Sequence, residues 1–264
     1  MAHQGMTGED EAGDGAAARI VTAAILVIGD EILSGRTKDK NIGYIAEYLT
    51  NIGIDLREVR VVADVEDDIV AALNALRSRY DHVFTTGGIG PTHDDITADS
   101  VAKAFGVPID VDPRARALLL ERIPEDQLNE ARLRMARIPE GATLIENPVS
   151  KAPGFTIGNV HVMAGVPSIM QAMLDGLAPR LATGRKMLSR SVSAGLKEGD
   201  IAGPLGALQA EFPDVSMGSY PTFDQERGFT TTLVLRSRDE ARLVAAEAAL
   251  LAMLSDIKAQ LGVS

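Results

Sequence analysis

The sequence contains no cysteine among its 264 residues. That absence excludes disulfides, thiolate-held metals and cysteine nucleophiles, and it suits a reducing cytoplasm, which is the expected location. No apolar run approaches the roughly 20 residues that span a bilayer. Positive charge is also scarce: 26 Lys and Arg stand against 37 Asp and Glu, a net charge of -11. An acidic chain without a basic stripe argues against nucleic acid and membrane surfaces as partners, although a local cationic pocket for a small anion stays compatible with it. Glu9, Asp10, Glu11 and Asp14 against Arg19 give the first 19 residues a charge of -3, which leaves -8 for the rest. This opening stretch is rich in Gly, Ala and acids and has no apolar h-region. It is expected to be a disordered tail over 1–20, neither signal peptide nor anchor.

What is present is an ordinary apolar content of 45% and enough length for a sizeable core and more than one domain. Ala23 to Ile28 is a continuous apolar run of the kind found in a strand covered on both faces. Helical spacing follows over 41–51, a strand over 54–62, a helix over 64–79 and a strand over 82–85. Strand–helix alternation with short connections predicts right-handed crossovers and a parallel sheet, whose ligands bind beyond the carboxyl ends of the strands. The segment 113–138 reads as two helices broken at Pro124. A short strand is expected over 143–145, a hairpin over 155–163 turning at Gly158-Asn159, and a helix over 165–181. Beyond Gly184 the pattern becomes β-α-β-β-α. The predicted organisation is therefore a larger α/β domain over 21–184 and a small α+β domain over 185–264.

The most informative stretch is Thr85-Thr86-Gly87-Gly88-Ile89-Gly90-Pro91-Thr92-His93-Asp94-Asp95-Ile96-Thr97. It carries a strand end into a glycine turn and then into a helix, with two carboxylates beside the helix start. Glycines let backbone N–H groups approach an anion, and a helix N-terminus favours negative charge. Phosphate is the natural guest. Adjacent acids would repel it directly, so a hard divalent cation between the phosphate and Asp94 or Asp95 completes the reading. The alternative is a tight turn with an Asp/Thr cap. His93 reads as a solvated loop side chain, and Lys151 as an exposed lysine.

These residues fall into four ordered motifs. Ile28-Gly29-Asp30-Glu31-Ile32-Leu33-Ser34-Gly35 with Asn41, the glycine turn through Thr97, Ala152-Pro153-Gly154-Phe155, and Met163-Ala164-Gly165-Val166-Pro167 together resemble the CinA (competence/damage-inducible protein A) family. The resemblance is strong over about 22–182. It implies a three-layer, parallel-sheet MoaB/Mog-like molybdopterin-binding domain, followed by the small domain. Departures occur at Ile89, where Mog-type enzymes carry Thr, at Asn147 to Lys151, at Ala164 and at Ile169. The deamidase domain of longer family members has no counterpart in these residues, so deamidation is not expected.

The resemblance implies Asp95 and Asp64 as catalytic residues that position a metal and the reacting phosphate. It implies Gly29, Asp30, Glu31, Ser34, Gly35, Asn41, Gly87, Gly88, Gly90, Thr92, Pro153, Gly154 and Gly165 around the substrate, with Asp94, Asp95 and Asp30 toward the metal. The implied cofactor is Mg, Mn or Co, with potassium as a further candidate. The implied activity is a nucleotide pyrophosphatase that hydrolyses a dinucleotide such as ADP-ribose or FAD. A second reading is binding of molybdopterin, a pterin phosphate, or its adenylated form. A homo-oligomer, dimer or trimer, is implied as well. In the small domain, Gly195 to Asp200 has no arginine and balanced acids, which argues against RNA.

Overall fold

The computed structural model describes residues 19–224 and 228–262. All but Arg19 and Ile20 of the expected disordered tail lies outside the described residues. The chain runs β1 (Val21–Ile28), α1 (Asp30–Leu33), α2 (Asn41–Asn51), β2 (Ile54–Val62), α3 (Glu66–Arg77), β3 (His82–Thr86) and α4 (Thr97–Phe105). It continues through β4 (Ile109–Val111), α5 (Pro113–Leu120), α6 (Glu130–Leu133), β5 (Arg137–Pro139), β6 (Thr143–Ile145), β7 (Gly154–Ile157), β8 (Val160–Met163) and α7 (Pro167–Leu177). The small C-terminal domain adds β9 (Leu188–Ser193), α8 (Glu198–Glu211), β10 (Ser216–Asp224), β11 (Gly228–Ser237) and α9 (Glu240–Leu261).

The central sheet has the order β2-β1-β3-β8-β7-β6, parallel from β2 to β8 and antiparallel at the β7–β6 edge. β1 shows why its sequence is apolar throughout. Ala24, Leu26 and Ile28 face one core with Ile69, Leu73 and Leu76 of α3, while Ala23, Ile25 and Val27 face another with Ile45 and Leu49 of α2 and Met170, Met173 and Leu174 of α7. Period-two alternation places neighbours on opposite faces, and here both faces are covered by helices. The result is a three-layer, mostly parallel α/β architecture of the kind the resemblance implies. A third core, built wholly from residues between 188 and 257, sits under the antiparallel β10-β11-β9 sheet of the small domain. No helix among the described residues is long and apolar enough to cross a membrane.

Two local readings hold only in part. The segment 113–138 does carry two α-helices, α5 and α6, on either side of Pro124, but both are short. After α5 come a 3-10 turn over Glu125–Gln127, the single turn of α6, and a second 3-10 turn over Arg134–Ala136, and then Arg137–Pro139 pairs antiparallel with β4. Asp112 starts α5 by accepting from the Arg114 and Ala115 amides, and Asn129 starts α6 by accepting from Arg132 N. A non-local ladder decides the remainder. The Gly29-Asp30-Glu31 loop is likewise partly helical, closing as α1.

One polar chain crosses the core. His82 Nε2 donates to the Ala182 carbonyl at 3.0 Å, His82 Nδ1 lies 3.0 Å from His161 Nε2, and His161 Nδ1 lies 3.0 Å from Thr156 Oγ1. With the Nε2 hydrogen directed at that carbonyl, His82 Nδ1 accepts from His161 and His161 accepts from Thr156. Burial first, then His82 and Arg180, push the His161 imidazole down to about 3. The native state therefore keeps it neutral, while the unfolded chain takes up a proton below pH 6.5. Stability from this group is complete above pH 6.5 and falls toward pH 3, at most about 1.4 kcal/mol per pH unit. Denaturant titration at pH 7 and pH 5 is expected to show a loss of about 2 kcal/mol from this group. His161→Gln should shrink the difference between the two pH values by that amount, and an unchanged difference would refute the assignment.

Candidate functional site

The site lies at the carboxyl ends of β1, β3 and β8. β3 ends in Thr86, and the chain then reverses through Gly87 (φ 102°) and Gly88 (φ 66°). Both conformations lie in the left-handed half of backbone space, which glycine reaches without strain. A Cβ on Gly87 would collide with the Ile28 carbonyl oxygen, and one on Gly88 with Thr97 Oγ1. The turn is closed by Thr97, whose amide donates to the Gly88 carbonyl at 3.0 Å and whose hydroxyl donates to the Gly87 carbonyl at 3.0 Å.

The amides of this turn divide into two sets. Gly87 N–H is spent on the Met163 carbonyl at 3.3 Å. The N–H groups of Gly88, Ile89 and Gly90 have no hydrogen-bond acceptor among the described residues, and all three residues are partly exposed. Ile89 instead anchors the turn by packing its side chain against both cores of the larger domain.

Three clefts lie along the motif loops, two of them lined by residues of the turn. The first is lined by Thr86, Gly87, Gly165 and Asn41 together with Lys38 and Lys40. Asn41 is buried, donates from Nδ2 to the Gly165 carbonyl at 2.8 Å, and leaves its Oδ1 without a partner. Its helix α2 is started by Asp39, whose Oδ1 accepts from the Asn41 and Ile42 amides.

The second cleft gathers Asp30, Glu31, Ser34, Asp64 and Asp94, with Arg36 at its rim. Asp64 Oδ2 accepts the Asp30 amide at 2.9 Å. Burial pushes the Asp64 carboxyl up; that hydrogen bond opposes the shift, and the charges of Asp30, Glu31 and Asp94 add to it. Gly29 N–H donates to the Val62 carbonyl at 3.1 Å, tying the end of β1 to the end of β2, while Gly35 (φ 72°) turns the chain after α1. Ser34 Oγ donates to the Glu31 carbonyl at 3.3 Å.

The third cleft, a narrow one, contains Gly88, Gly90, Asp95, Pro153 and the cations Arg134 and Arg137. Asp95 clasps its own loop: its Oδ2 accepts from the Thr92 amide at 2.8 Å and the Thr92 hydroxyl at 2.5 Å. Pro153 is presented by a loop organised around buried Asn147, which accepts the Val149 and Ser150 amides at 3.0 Å and donates to the Ala152 carbonyl at 2.9 Å. Lys151 there adopts φ 67° and pairs with Glu121 at 2.6 Å.

The structure thus brings nearly all of the sequence-derived residues around one turn, but not in every role expected of them. Gly154 is buried as the first residue of β7, and a Cβ would strike the Val162 carbonyl; it serves the packing of the sheet. Asp95 opens on a different cleft from Asp30 and Asp94, and no three Asp, Glu or His among the described residues form a group that could hold a metal by themselves. The sequence reading missed the cations Arg36, Lys38, Lys40 and Arg134. The first three follow directly on the Ser34-Gly35 motif, a signal available in the sequence, whereas Arg134 reaches the turn only through the tertiary fold. His93 is fully exposed.

Residues 24–183 match the model of the probable molybdopterin binding domain. The chain belongs to that family. Residues 186–261 match the middle domain of FAD synthase. The larger domain is also similar to the crystal structure of the protein CinA, of unknown function, from Thermoplasma acidophilum: 36% identity and a TM-score of 0.58 over 61% of this chain and 98% of that one. A protein of Pyrobaculum calidifontis is 36% identical over 211 residues, 76% of this chain and 80% of its own. A CinA-like protein of Desulfosudis oleivorans is 36% identical over 211 residues, 74% of this chain. The chain spans 51% of that CinA-like relative's length. It is therefore a CinA-like protein of the molybdopterin-binding fold.

Proposed function

We propose that the protein hydrolyses the diphosphate linkage of a dinucleotide such as ADP-ribose or FAD, with help from a divalent cation. The observation that carries this reading is the row of unpartnered Gly88, Ile89 and Gly90 amides, on a loop that runs on to Asp94, one of the carboxylates of the second cleft. Oriented N–H groups stabilise charge on phosphate oxygens, and they do so best where no protein acceptor competes for them. Carboxylates alone would repel that charge. Asp30 and Asp94, with Asp64 alongside, are hard oxygen donors of the kind Mg and Mn prefer, and such ions are commonly held by one or two carboxylates with substrate phosphates completing the shell. Bound there, the cation would neutralise the diphosphate and acidify the attacking water.

The chain's own residues supply the rest. Water attacks one phosphorus, the bridging P–O bond breaks, and AMP separates from ribose phosphate or flavin mononucleotide. Asp64, partly buried and with a raised pKa, takes the proton of the attacking water. Asp95 keeps the loop closed through Thr92, so that the turn amides stay aimed. The match of residues 186–261 to the middle domain of FAD synthase supports a dinucleotide ligand.

Incubation of the purified protein with ADP-ribose and with FAD, in Mg, Mn or Co, is expected to release AMP only when a metal is added. No AMP under any metal, with every preparation folded, would overturn the proposal. The family description favours a second reading, molybdopterin binding without hydrolysis. Calorimetric binding of a pterin phosphate by a protein that releases no AMP would favour that second reading.

A further inference from the structure

The third cleft holds a cation that the fold leaves uncompensated. Arg137 is neutralised by a two-bonded pair with Asp99, at 2.8 and 2.7 Å. Arg134 is not: no carboxylate among the described residues lies within ion-pairing distance of it. Its side chain makes one hydrogen bond among the described residues, from Nη2 to the Asp95 backbone carbonyl at 3.2 Å, and its Nε is buried without a partner. Asp95, the nearest acid in sequence to that carbonyl, has turned one carboxylate oxygen back onto Thr92. Around Arg134 the cleft is mixed: Met135, Ile138 and Phe155 line it together with Asp95 and the Arg137–Asp99 pair, and Gly88 and Gly90 open onto it as well.

A guanidinium is always charged, and leaving one half-buried with unfilled donors is costly unless an anion completes it. Lys38 and Lys40 do not raise this question, because both are exposed and hydrate freely. The position matters as much as the charge. The bond to the Asp95 carbonyl moors Arg134 to the loop whose amides are free, so an anion reaching Gly88 and Gly90 meets the guanidinium in the same cleft. Guanidinium forks match phosphate oxygens bidentately, which a point charge does not.

We propose that Arg134 is a phosphate-binding residue, holding the phosphate group that is seated on the Gly88–Gly90 amides. This assignment rests on the reading that phosphate docks at the glycine turn. It adds a specificity element: ligands with two linked phosphates gain both the cation-facing cleft and Arg134, whereas monophosphates gain only one of them.

The test is calorimetric titration of the full chain with inorganic pyrophosphate in magnesium chloride. Wild type is compared with Arg134→Gln, Arg134→Lys and the neighbouring Arg132→Gln, with thermal melts run alongside. Arg134→Gln is expected to bind at least tenfold more weakly than wild type, with Arg134→Lys between the two and Arg132→Gln unchanged. With ADP-ribose the loss should fall on KM rather than kcat. Pyrophosphate affinity of Arg134→Gln within twofold of wild type would overturn the proposal. So would equal losses in the Gln and Lys variants accompanied by equally lowered melting temperatures, since that would mark a structural role, or no binding by the wild type. Arg134-dependent pyrophosphate binding by a protein that releases no AMP from ADP-ribose or FAD would sink the hydrolase reading and leave this one standing. AMP release that ignores Arg134 would do the reverse.

Discussion

Gly87→Ala is expected to be among the most destabilising single substitutions in the larger domain. At φ 102° an L-residue is strained before packing is considered, and the added methyl would drive into the Ile28 carbonyl. That carbonyl belongs to β1, the strand between β2 and β3, so neither side can retreat without opening the sheet. Backbone strain of this kind costs about 1–3 kcal/mol, and the collision adds to it, giving about 3 kcal/mol or more. For a chain of this size the melting temperature should fall by about 6–12 °C. Gly106→Ala is the comparison, because Gly106 also has positive φ (66°) but a methyl added there would meet nothing within 4 Å. It should cost only the strain of the left-handed conformation, about 1–2 kcal/mol. Equal losses at both positions would show that close approach at the turn carries no special weight.

The second large effect is expected at Asp64. Under the hydrolase reading, Asp64→Asn keeps the shape and the acceptor oxygen for the Asp30 amide, and removes the charge and the proton acceptor. AMP release should drop about 100-fold or more in kcat, the usual scale for losing a general base. Folding should not suffer: burial first, then the charges of Asp30, Glu31 and Asp94, raise the Asp64 pKa, so a neutral side chain there avoids both costs. The expected signature is therefore lost turnover with an equal or higher melting temperature. Lost turnover with a lowered melting temperature would assign Asp64 to the scaffold, and unchanged turnover would remove it from the chemistry.

Much of this arrangement is legible in the sequence because it is local. The apolar run of β1 predicts a strand covered on both faces, and its residues indeed divide between two cores. The glycine turn announces itself through Gly87, Gly88 and Gly90 set among threonines and acids, and it folds as a strand-to-helix reversal at Gly87 and Gly88. The hairpin at Gly158-Asn159 and the β-α-β-β-α order of the small domain are equally plain from turn residues and periodicity. What escapes detection depends on distance along the chain. β5 exists because Arg137–Pro139 meets β4, on the far side of α5 and α6, and so short a strand carries no readable alternation. His82 and His161 join across 79 positions. Arg134 lies 39 positions from Asp95, and its contact depends on how the 3-10 turn over Arg134–Ala136 lands beside the glycine turn. Gly154 carries a second demand that its motif does not announce: close approach to the Val162 carbonyl also requires glycine there.

The most direct test of the account is a crystal structure of the protein with ADP-ribose and a divalent ion that does not support turnover. The account predicts a diphosphate seated on the Gly88, Ile89 and Gly90 amides, with the ion between it and the carboxylates of Asp30 or Asp94. Diphosphate bound elsewhere, with those three amides still facing water, would contradict it.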